Sequence, residues 1–343
     1  MVITRKVIDC HIHLKEWFDA EGNDYFQLLD KLQEKTGLEA MNIAVLGYRH
    51  NGGPDINLMA SIYKLHNPTA YAYGALVYPE YPAKSDFPDG MDPLTQYREL
   101  MAMGMDGIKF LYAAGEQKAV GLPISDQAFE PFFAQAERDG TPILWHVADP
   151  KFFWEPNQDG YVRFDETFPT FEELYLQTFE VLKKHPKLHV TFAHFLFLEE
   201  QPELLESLFE KYEHLKVDLA PGTLFWAFAK RPDYFREFLE KYADRMIFGS
   251  DGSIPANPHS DELLENVYRW IATRERGSVW GFEMDGLGLS QQACGKILSG
   301  SFLEGNPAPR KVDRDALVHY WEKYGSLIGK EVHKEQLAKF FDK

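Results

Sequence analysis

Two histidines close to the start of the chain, His11 and His13, have the spacing that most directly indicates chemistry. They lie in residues 9–13, DCHIH, directly after a short apolar stretch. In a β-strand, side chains at positions i and i+2 point to the same side. We therefore expect both imidazoles to face one cation, with Cys10 and Ile12 directed to the opposite layer. The same spacing also occurs in hydrogen-bonded or solvated histidines, so other parts of the chain must decide.

Four more polar residues stand at or near the ends of short apolar runs: Lys109 in GIKF, His146 in ILWHV, His194 in VTFAH and Asp251 in MIFGSD. Taken singly, such a histidine is usually a hydrogen-bonded wall residue and such an aspartate a turn former or helix N-cap. Together they are hard to explain by coincidence, because the strands of a barrel bring their C-terminal ends to one mouth. Nitrogen and carboxylate ligands around an open position are what a catalytic zinc or similar divalent ion requires.

Strand-like and helix-like patterns alternate along the chain and define the expected fold. Eight short apolar runs predict β-strands at residues 6–12, 42–46, 70–76, 107–111, 142–147, 189–193, 215–219 and 245–248. Apolar residues spaced three and four apart predict helices at residues 24–35, 93–103, 126–138, 171–184, 202–212, 232–242, 260–274 and 290–299. Such alternation implies parallel strands, and eight of them complete a (β/α)8 TIM barrel of the α/β class.

Aromatic loop insertions and C-terminal helical additions are expected on this barrel. Residues 78–91 and 149–169 form long loops after the third and fifth strands, and such loops usually cover the active face. Alternatively, their aromatic residues only seal the loops onto the barrel. No linker rich in Pro, Gly or Ser interrupts the chain, so we expect a single domain over residues 1–343, with a helical extension over about 308–343.

The composition argues against several classes of partner. Hydrophobic residues make up 45% of the 343 residues and aromatic residues 15%, which permits a sizeable core. Acidic residues outnumber basic ones by 53 to 36, and the net charge of −17 disfavours nucleic acids and anionic membranes. There is no apolar signal core, no membrane-spanning window and no disulfide framework. We expect a cytoplasmic protein that acts on a small molecule, with room for a homodimer interface.

The chain resembles the amidohydrolase superfamily, and within it the amidohydrolase-related branch that includes aminocarboxymuconate semialdehyde decarboxylase and similar nonoxidative decarboxylases. The opening DCHIH, His146, His194 and the FGSD that ends at Asp251 match the motifs of that family. The resemblance implies that His11, His13, His146 and Asp251 bind one divalent metal ion. It implies that His194 is a second ligand or a polariser of the substrate. Zinc is the expected ion, with manganese, iron, cobalt and nickel as alternatives.

Several further residues of the expected mouth have open roles. In binuclear family members a lysine of the fourth strand is carboxylated and bridges two metal ions; for Lys109 we favour a lysine that binds a substrate carboxylate or pairs with a nearby acid. Tyr48 and Arg49 follow the second strand, where Arg49 either holds a carboxylate substrate or is a solvated loop residue. Trp154 and Trp226 either line the substrate site or belong to the packing of a loop and a helix.

The expected activity is metal-dependent hydrolysis of an amide, ester or lactone bond by activated water. Asp251 would accept the proton of the attacking water and return it to the leaving group, and His194 would stabilise charge on the polarised oxygen. One alternative is nonoxidative decarboxylation of an aromatic or unsaturated carboxylic acid with the same ligands. Another is a non-enzymatic, metal-bound scaffold. Fold and ligands do not fix the reaction.

Overall fold

A computed structural model of the protein describes residues 5–14, 25–46, 54–78, 91–254, 260–279 and 282–328, and a sheet of parallel strands lies at its centre. The strands of this sheet are β1 (Ile8–Leu14), β2 (Ala40–Ala44), β3 (Tyr71–Ala75), β4 (Gly107–Leu111), β5 (Ile143–His146), β6 (Val190–Phe192), β7 (Leu215–Asp218), β8 (Met246–Ile247) and β9 (Gly252–Ile254). Their order is β8-β7-β6-β5-β4-β3-β2-β1-β9, and every pairing is parallel. The predicted α/β architecture with parallel strands is confirmed.

Helices connect these strands and continue after them. Within the described residues they are α1 (Tyr25–Thr36), α2 (Pro54–His66), α3 (Pro93–Ala102), α4 (Ala114–Val120), α5 (Glu130–Asp139), α6 (Phe171–Lys184), α7 (Pro202–Lys211), α8 (Leu224–Lys230), α9 (Pro232–Lys241), α10 (Ser260–Ala272), α11 (Gln291–Gly295), α12 (Ser301–Gly305) and α13 (Arg314–Ile328). A π-helical turn joins α11 to α12, and β10 (Arg276–Val279) and β11 (Phe282–Asp285) form a separate antiparallel hairpin. In this part of the chain, none of the helices combines the length and apolar character needed to cross a bilayer.

The eighth strand position is divided between β8 and β9, and this division joins the two ends of the sheet. Met246 of β8 pairs with Val217 of β7, whereas Gly252 of β9 pairs with Ile12 of β1. Because only residues 248–251 separate β8 from β9, the same stretch of chain contacts both the seventh and the first strand. The arrangement agrees with a TIM barrel.

Two apolar clusters hold the layers together. Cys10 and Ile12, which are two positions apart in β1, belong to different clusters. A large cluster between sheet and helices includes Ile12, whereas a smaller one joins Cys10 to Tyr73, Leu144 and Phe302. The expectation that Cys10 and Ile12 face the same layer is therefore wrong. The register of β1 against β2 shifts before Ile12, and such an irregularity breaks the two-residue alternation of side chains.

Local sequence signals explain where several elements begin and end. Helix α6 matches its predicted span because Thr170 and Glu173 form a capping box: Thr170 Oγ1 accepts from the Glu173 N–H at 3.2 Å, and Glu173 accepts from the Thr170 N–H at 2.8 Å. Helix α5 begins later than predicted, because turns with bonds from Asp126 N to Pro123 O and from Phe129 N to Asp126 O precede it. The sequence patterns did not predict α2, α4, α8 or the hairpin.

The C-terminal part packs on the barrel as helix. The Asn57 side-chain amide of α2 donates to the Tyr320 hydroxyl of α13 at 2.9 Å, and the Tyr324 hydroxyl donates to Glu99 of α3 at 2.7 Å. Helix α13, at Arg314–Ile328, lies within the expected extension over about 308–343. Residues 329–343 and most of the predicted loop at 78–91 lie outside the described residues.

Replacing Gly104 with alanine should destabilise the fold. Gly104 has a φ of +91°, and a Cβ there would lie 2.2 Å from the backbone oxygen of Lys311. We expect a loss of at least about 1–2 kcal/mol in the free energy of unfolding, measured by urea denaturation. Gly115→Ala is the matched control, because a Cβ at that helical position has no heavy atom within 4 Å. Equal stability of the two variants would contradict the prediction.

Candidate functional site

Polar side chains from several strand ends meet at one mouth of the barrel. Among the described residues, the candidate ligand atoms of His11 on β1, His194 after β6 and Asp251 between β8 and β9 lie within 4.8 Å of one another. His13 adjoins this group through Asp251, and His146 at the end of β5 adjoins it through His194, with ring centroids 5.0 Å apart. The structure therefore brings together all five of these residues.

Buried His11 is held in one protonation state by its neighbours. Its Nδ1 lies 2.8 Å from Oδ2 of Asp218, and its Nε2 lies 2.8 Å from Nζ of Lys109. Burial, and then the charge of Lys109, lowers the pKa of His11 to about 3, so the ring is neutral at pH 7. The single proton must then be on Nδ1, where it is donated to Asp218, and the Nε2 lone pair faces Nζ of Lys109.

His13 and His194 show the same pattern with backbone acceptors. Nδ1 of His13 donates to the carbonyl of Ala44 at 2.5 Å, and Nδ1 of His194 donates to the carbonyl of Pro221 at 2.9 Å. Burial lowers the pKa of His13, which keeps that ring neutral and leaves its Nε2 without a proton. A histidine that binds a metal ion usually donates its other N–H to such an acceptor.

The carboxylate of Asp251 faces unprotonated nitrogens. Its Oδ1 lies 3.1 Å from Nε2 of His13 and 3.5 Å from Nε2 of His11. Burial alone would raise the pKa of Asp251, but the contact with His13 and the nearby His11 and His194 lower it, so the group is ionised. The lone pairs of Asp251 Oδ1 and His13 Nε2 thus face each other with no proton between them, and Nε2 of His11 has the Lys109 amine beside it. A cation stabilises such an arrangement, and unprotonated nitrogens and an ionised carboxylate are the states required of metal ligands.

Asp218 is the main residue that the sequence analysis missed. It ends β7 and is fully buried; Oδ2 accepts from His11, and Oδ1 accepts from the backbone N–H of His194 at 2.7 Å. Burial raises its pKa, but His11, His194 and Lys109 together outweigh that effect and lower the pKa, so Asp218 is ionised. The sequence does contain a signal for Asp218, because a polar residue at the end of an apolar run is the same pattern that identified His146.

Lys109 and His146 occupy the edge of the site. Lys109 is almost fully buried, and burial lowers its pKa to about 8 against the opposing influence of Asp218 and Asp251. Its nearest described partner is the imidazole of His11. Nε2 of His146 lies 4.0 Å from Asp149, and burial followed by the proximity of His194 lowers the pKa of His146.

Backbone strain is concentrated at this site. Among the described non-glycine residues, positive φ occurs at His194 and the three residues that follow it, with angles of 54°, 57°, 56° and 49°, and at Asp251 with 54°. A left-handed residue with a side chain costs roughly 1–2 kcal/mol. The Tyr175 hydroxyl donates to the Leu196 carbonyl at 2.6 Å and helps to hold this left-handed turn. Such strain clusters where function requires it.

The remaining predicted residues have different environments. Tyr48 and Arg49 lie outside the described residues. The indole N–H of Trp154 donates to the Pro169 carbonyl at 2.9 Å, a contact that favours a role in sealing the loop. Trp226 is 44% exposed and stacks against Phe152 with ring centroids 6.3 Å apart.

Comparisons with known proteins give a family and a fold. A family model described as amidohydrolase matches residues 8–300. Similar solved structures include an uncharacterized TIM-barrel protein from Bordetella bronchiseptica, with 14% identity, a TM-score of 0.56 and coverage of 88% of this chain and 98% of that one. Another is a dihydroxybenzoic acid decarboxylase from Polaromonas sp. JS666 with bound manganese and an inhibitor, with 14% identity, a TM-score of 0.52 and coverage of 88% and 97%. No curated protein sequence matches.

Replacing Asp218 with asparagine should reverse the tautomer of His11. Oδ1 of residue 218 must still accept from the His194 N–H, so the amide NH2 would face Nδ1 of His11 and favour a proton on Nε2 instead. Histidine ¹⁵N NMR at pH 7 should show this exchange of protonated and unprotonated nitrogens. Asp149→Asn, near His146, is the control and should leave the His11 signals unchanged. An unaltered His11 tautomer in Asp218→Asn would refute the assignment.

Proposed function

The chain belongs to the amidohydrolase family, and on that premise we propose that it is a metal-dependent hydrolase that cleaves an amide, ester or lactone bond of a small molecule. The observation that supports this most is the convergence of unprotonated His13 and His11 nitrogens on the ionised carboxylate of Asp251, at 3.1 and 3.5 Å. Lone pairs that face each other in this way repel unless a positive charge lies beside them. Lys109 supplies one at Nε2 of His11, 2.8 Å away, and a divalent ion would supply it for His13 and Asp251. The donor set therefore fits a divalent ion.

We assign the metal to the group formed by His11, His194 and Asp251, with His13 and His146 at its edge as further ligands. The hydrogen bonds of Nδ1 in His11, His13 and His194 leave Nε2 for the ion, which supports these residues over others. Zinc is the expected ion and manganese the first alternative, since imidazole and carboxylate ligands suit both. A bound divalent ion would polarise a substrate carbonyl and lower the pKa of a bound water to about 7.

Three residues near the ion would then transfer the proton, position the ligands and stabilise negative charge. Asp251 is ionised and partly accessible, so it is suited to accept the proton of the attacking water and to return it to the leaving group. Asp218 holds His11 and the backbone of His194 in place and so fixes the geometry of the ligands. Lys109 contributes a buried positive charge beside His11 that favours anionic substrates or transition states.

Nonoxidative decarboxylation is the second candidate, and Lys109 is the observation that favours it. A buried amine within 2.8 Å of a proposed metal ligand can hold a substrate carboxylate close to the ion. The similarity to the manganese-containing decarboxylase shows the fold alone at 14% identity. The two reactions therefore have to be separated by their products.

Elemental analysis of the purified protein should give about one divalent ion per chain, and an anomalous-scattering map should show one peak near His11. Dialysis against a chelator should remove the ion and abolish activity, because the proposed reaction depends on the bound ion. We expect His11→Ala and His194→Ala to lose most of the metal. A second peak adjoining Lys109 would instead support a carboxylated, bridging lysine.

His189→Ala is the matched control for these metal measurements. His189 stacks on His214 just before β6, at the other end of the strands from the proposed centre. Its variant should retain a full complement of metal. If the wild-type protein binds no divalent ion while its fold stays intact, the proposal of a metal-dependent enzyme fails.

Asp251→Asn should reduce turnover to below a few per cent of the wild-type rate while much of the metal stays bound, because the amide cannot accept a proton. A loss of about 10²–10⁴-fold is typical of a general base. Activity should be measured on a panel of esters, lactones and amides by acid release, and on carboxylic acids by release of carbon dioxide. Asp233→Asn, on the exposed surface of α9, is the control. Turnover above a few per cent in Asp251→Asn would refute its role.

A further inference from the structure

The left-handed turn after β6 sets one aromatic ring beside the proposed metal centre. In a turn with three residues per revolution, positions i and i+3 lie on the same side, so Phe197 stands next to His194. Their ring centroids are 5.3 Å apart with the planes tilted by 34°. Phe197 also meets the ring of His146 edge to face, at 6.0 Å and 66°. This ring therefore contacts two of the imidazoles at the mouth.

The burial of the turn shows which of its side chains reaches the mouth. Phe195 and Leu196 are 0% and 1% exposed and pack in the core, where Phe195 lies against Phe228 at 5.6 Å. Phe197 is only half-buried. Its ring contacts His146 and His194, so Phe197 is a partly open side chain beside two of the imidazoles at the mouth. The strained backbone thus holds a rigid apolar wall at the site.

Gly222 provides the room that this ring occupies. A Cβ at residue 222 would lie 3.3 Å from Cε1 of Phe197 and 3.5 Å from Cβ of His194, closer to the phenyl ring than an ordinary contact. The segments that follow β5 and β7, the strands that flank β6 in the sheet, carry the stacked and exposed rings of Phe152 and of Trp226 on α8. Each of these three neighbouring strands is therefore followed by a segment with a partly open aromatic ring.

We propose that Phe197 is a specificity-determining residue that selects substrates with a planar, apolar group beside the reacting bond. This inference rests on the proposed function, because it places the reacting group at the ion held by His11, His194 and Asp251. A flat group can stack on the open part of the Phe197 ring, whereas a small aliphatic group leaves that part in contact with water. The left-handed turn keeps the Phe197 ring at a fixed distance from His194. The protein can therefore select among substrates with little rearrangement of this ring.

A pair of chelating probes tests the proposal without knowledge of the reaction. Benzohydroxamate and acetohydroxamate carry the same metal-binding group and differ in a phenyl ring against a methyl group. We expect metal-loaded protein to bind benzohydroxamate about tenfold more tightly in calorimetric titrations, as one well-placed aromatic contact provides. Phe197→Ala should abolish this preference while the Kd of acetohydroxamate stays within about twofold of the wild-type value.

Two further variants keep the test decisive if Phe197→Ala folds poorly. Gly222→Ala should press on the ring and weaken benzohydroxamate binding more than acetohydroxamate binding. Leu176→Ala, an exposed position on α6, should change neither affinity. A preference that survives in Phe197→Ala, or an equal loss for both probes, overturns the inference while leaving the proposed function intact. Protein that takes up no metal overturns the proposed function itself, and with it the inference.

Discussion

The carboxylate of Asp218 is the contact on which the geometry of the site depends most. One oxygen accepts from the ring of His11 on β1, and the other accepts from the backbone of His194 after β6. The carboxylate links the ends of nearby strands and fixes two imidazoles relative to each other. Because it is fully buried, an alternative partner in water is not available to it, and both hydrogen bonds gain from the low local dielectric.

The strained residues are placed where that carboxylate can hold them. His194 adopts a left-handed conformation, and its N–H is bonded to Asp218, while Leu196 is anchored through the Tyr175 hydroxyl. Asp251, the other left-handed residue of the site, follows Ser250, whose N–H is donated to Asp9 at 3.1 Å. Each strained segment is therefore fixed by a buried polar bond, so the unfavourable backbone angles persist and the ligands need little reorganisation.

Sequence reasoning located the strand ends well and failed where a residue acts through a distant partner. His11, His146 and Asp251 follow apolar runs, and the structure has them at one mouth because parallel strands end there. Asp218 also ends an apolar run, but its role as the partner of His11 and of the His194 backbone appears only when the fold brings β1 and β6 close to β7. The left-handed turn was invisible, because the residues Phe195, Leu196 and Phe197 have no preference for that conformation. The predicted span of α6, by contrast, matches the structure, because the capping box at its start is a local interaction.

The divided eighth strand has a consequence for how this protein can change over time. Residues 248–251 connect β8, which pairs with β7, to β9, which pairs with β1, and they include Asp251. We call this connection the seam of the barrel. An added or deleted residue there would alter the circumference of the cylinder and displace a reacting group in the same event. The surface loops are under no such double constraint. As this sequence evolves, insertions and deletions should therefore accumulate in the surface loops and be rare at residues 248–251.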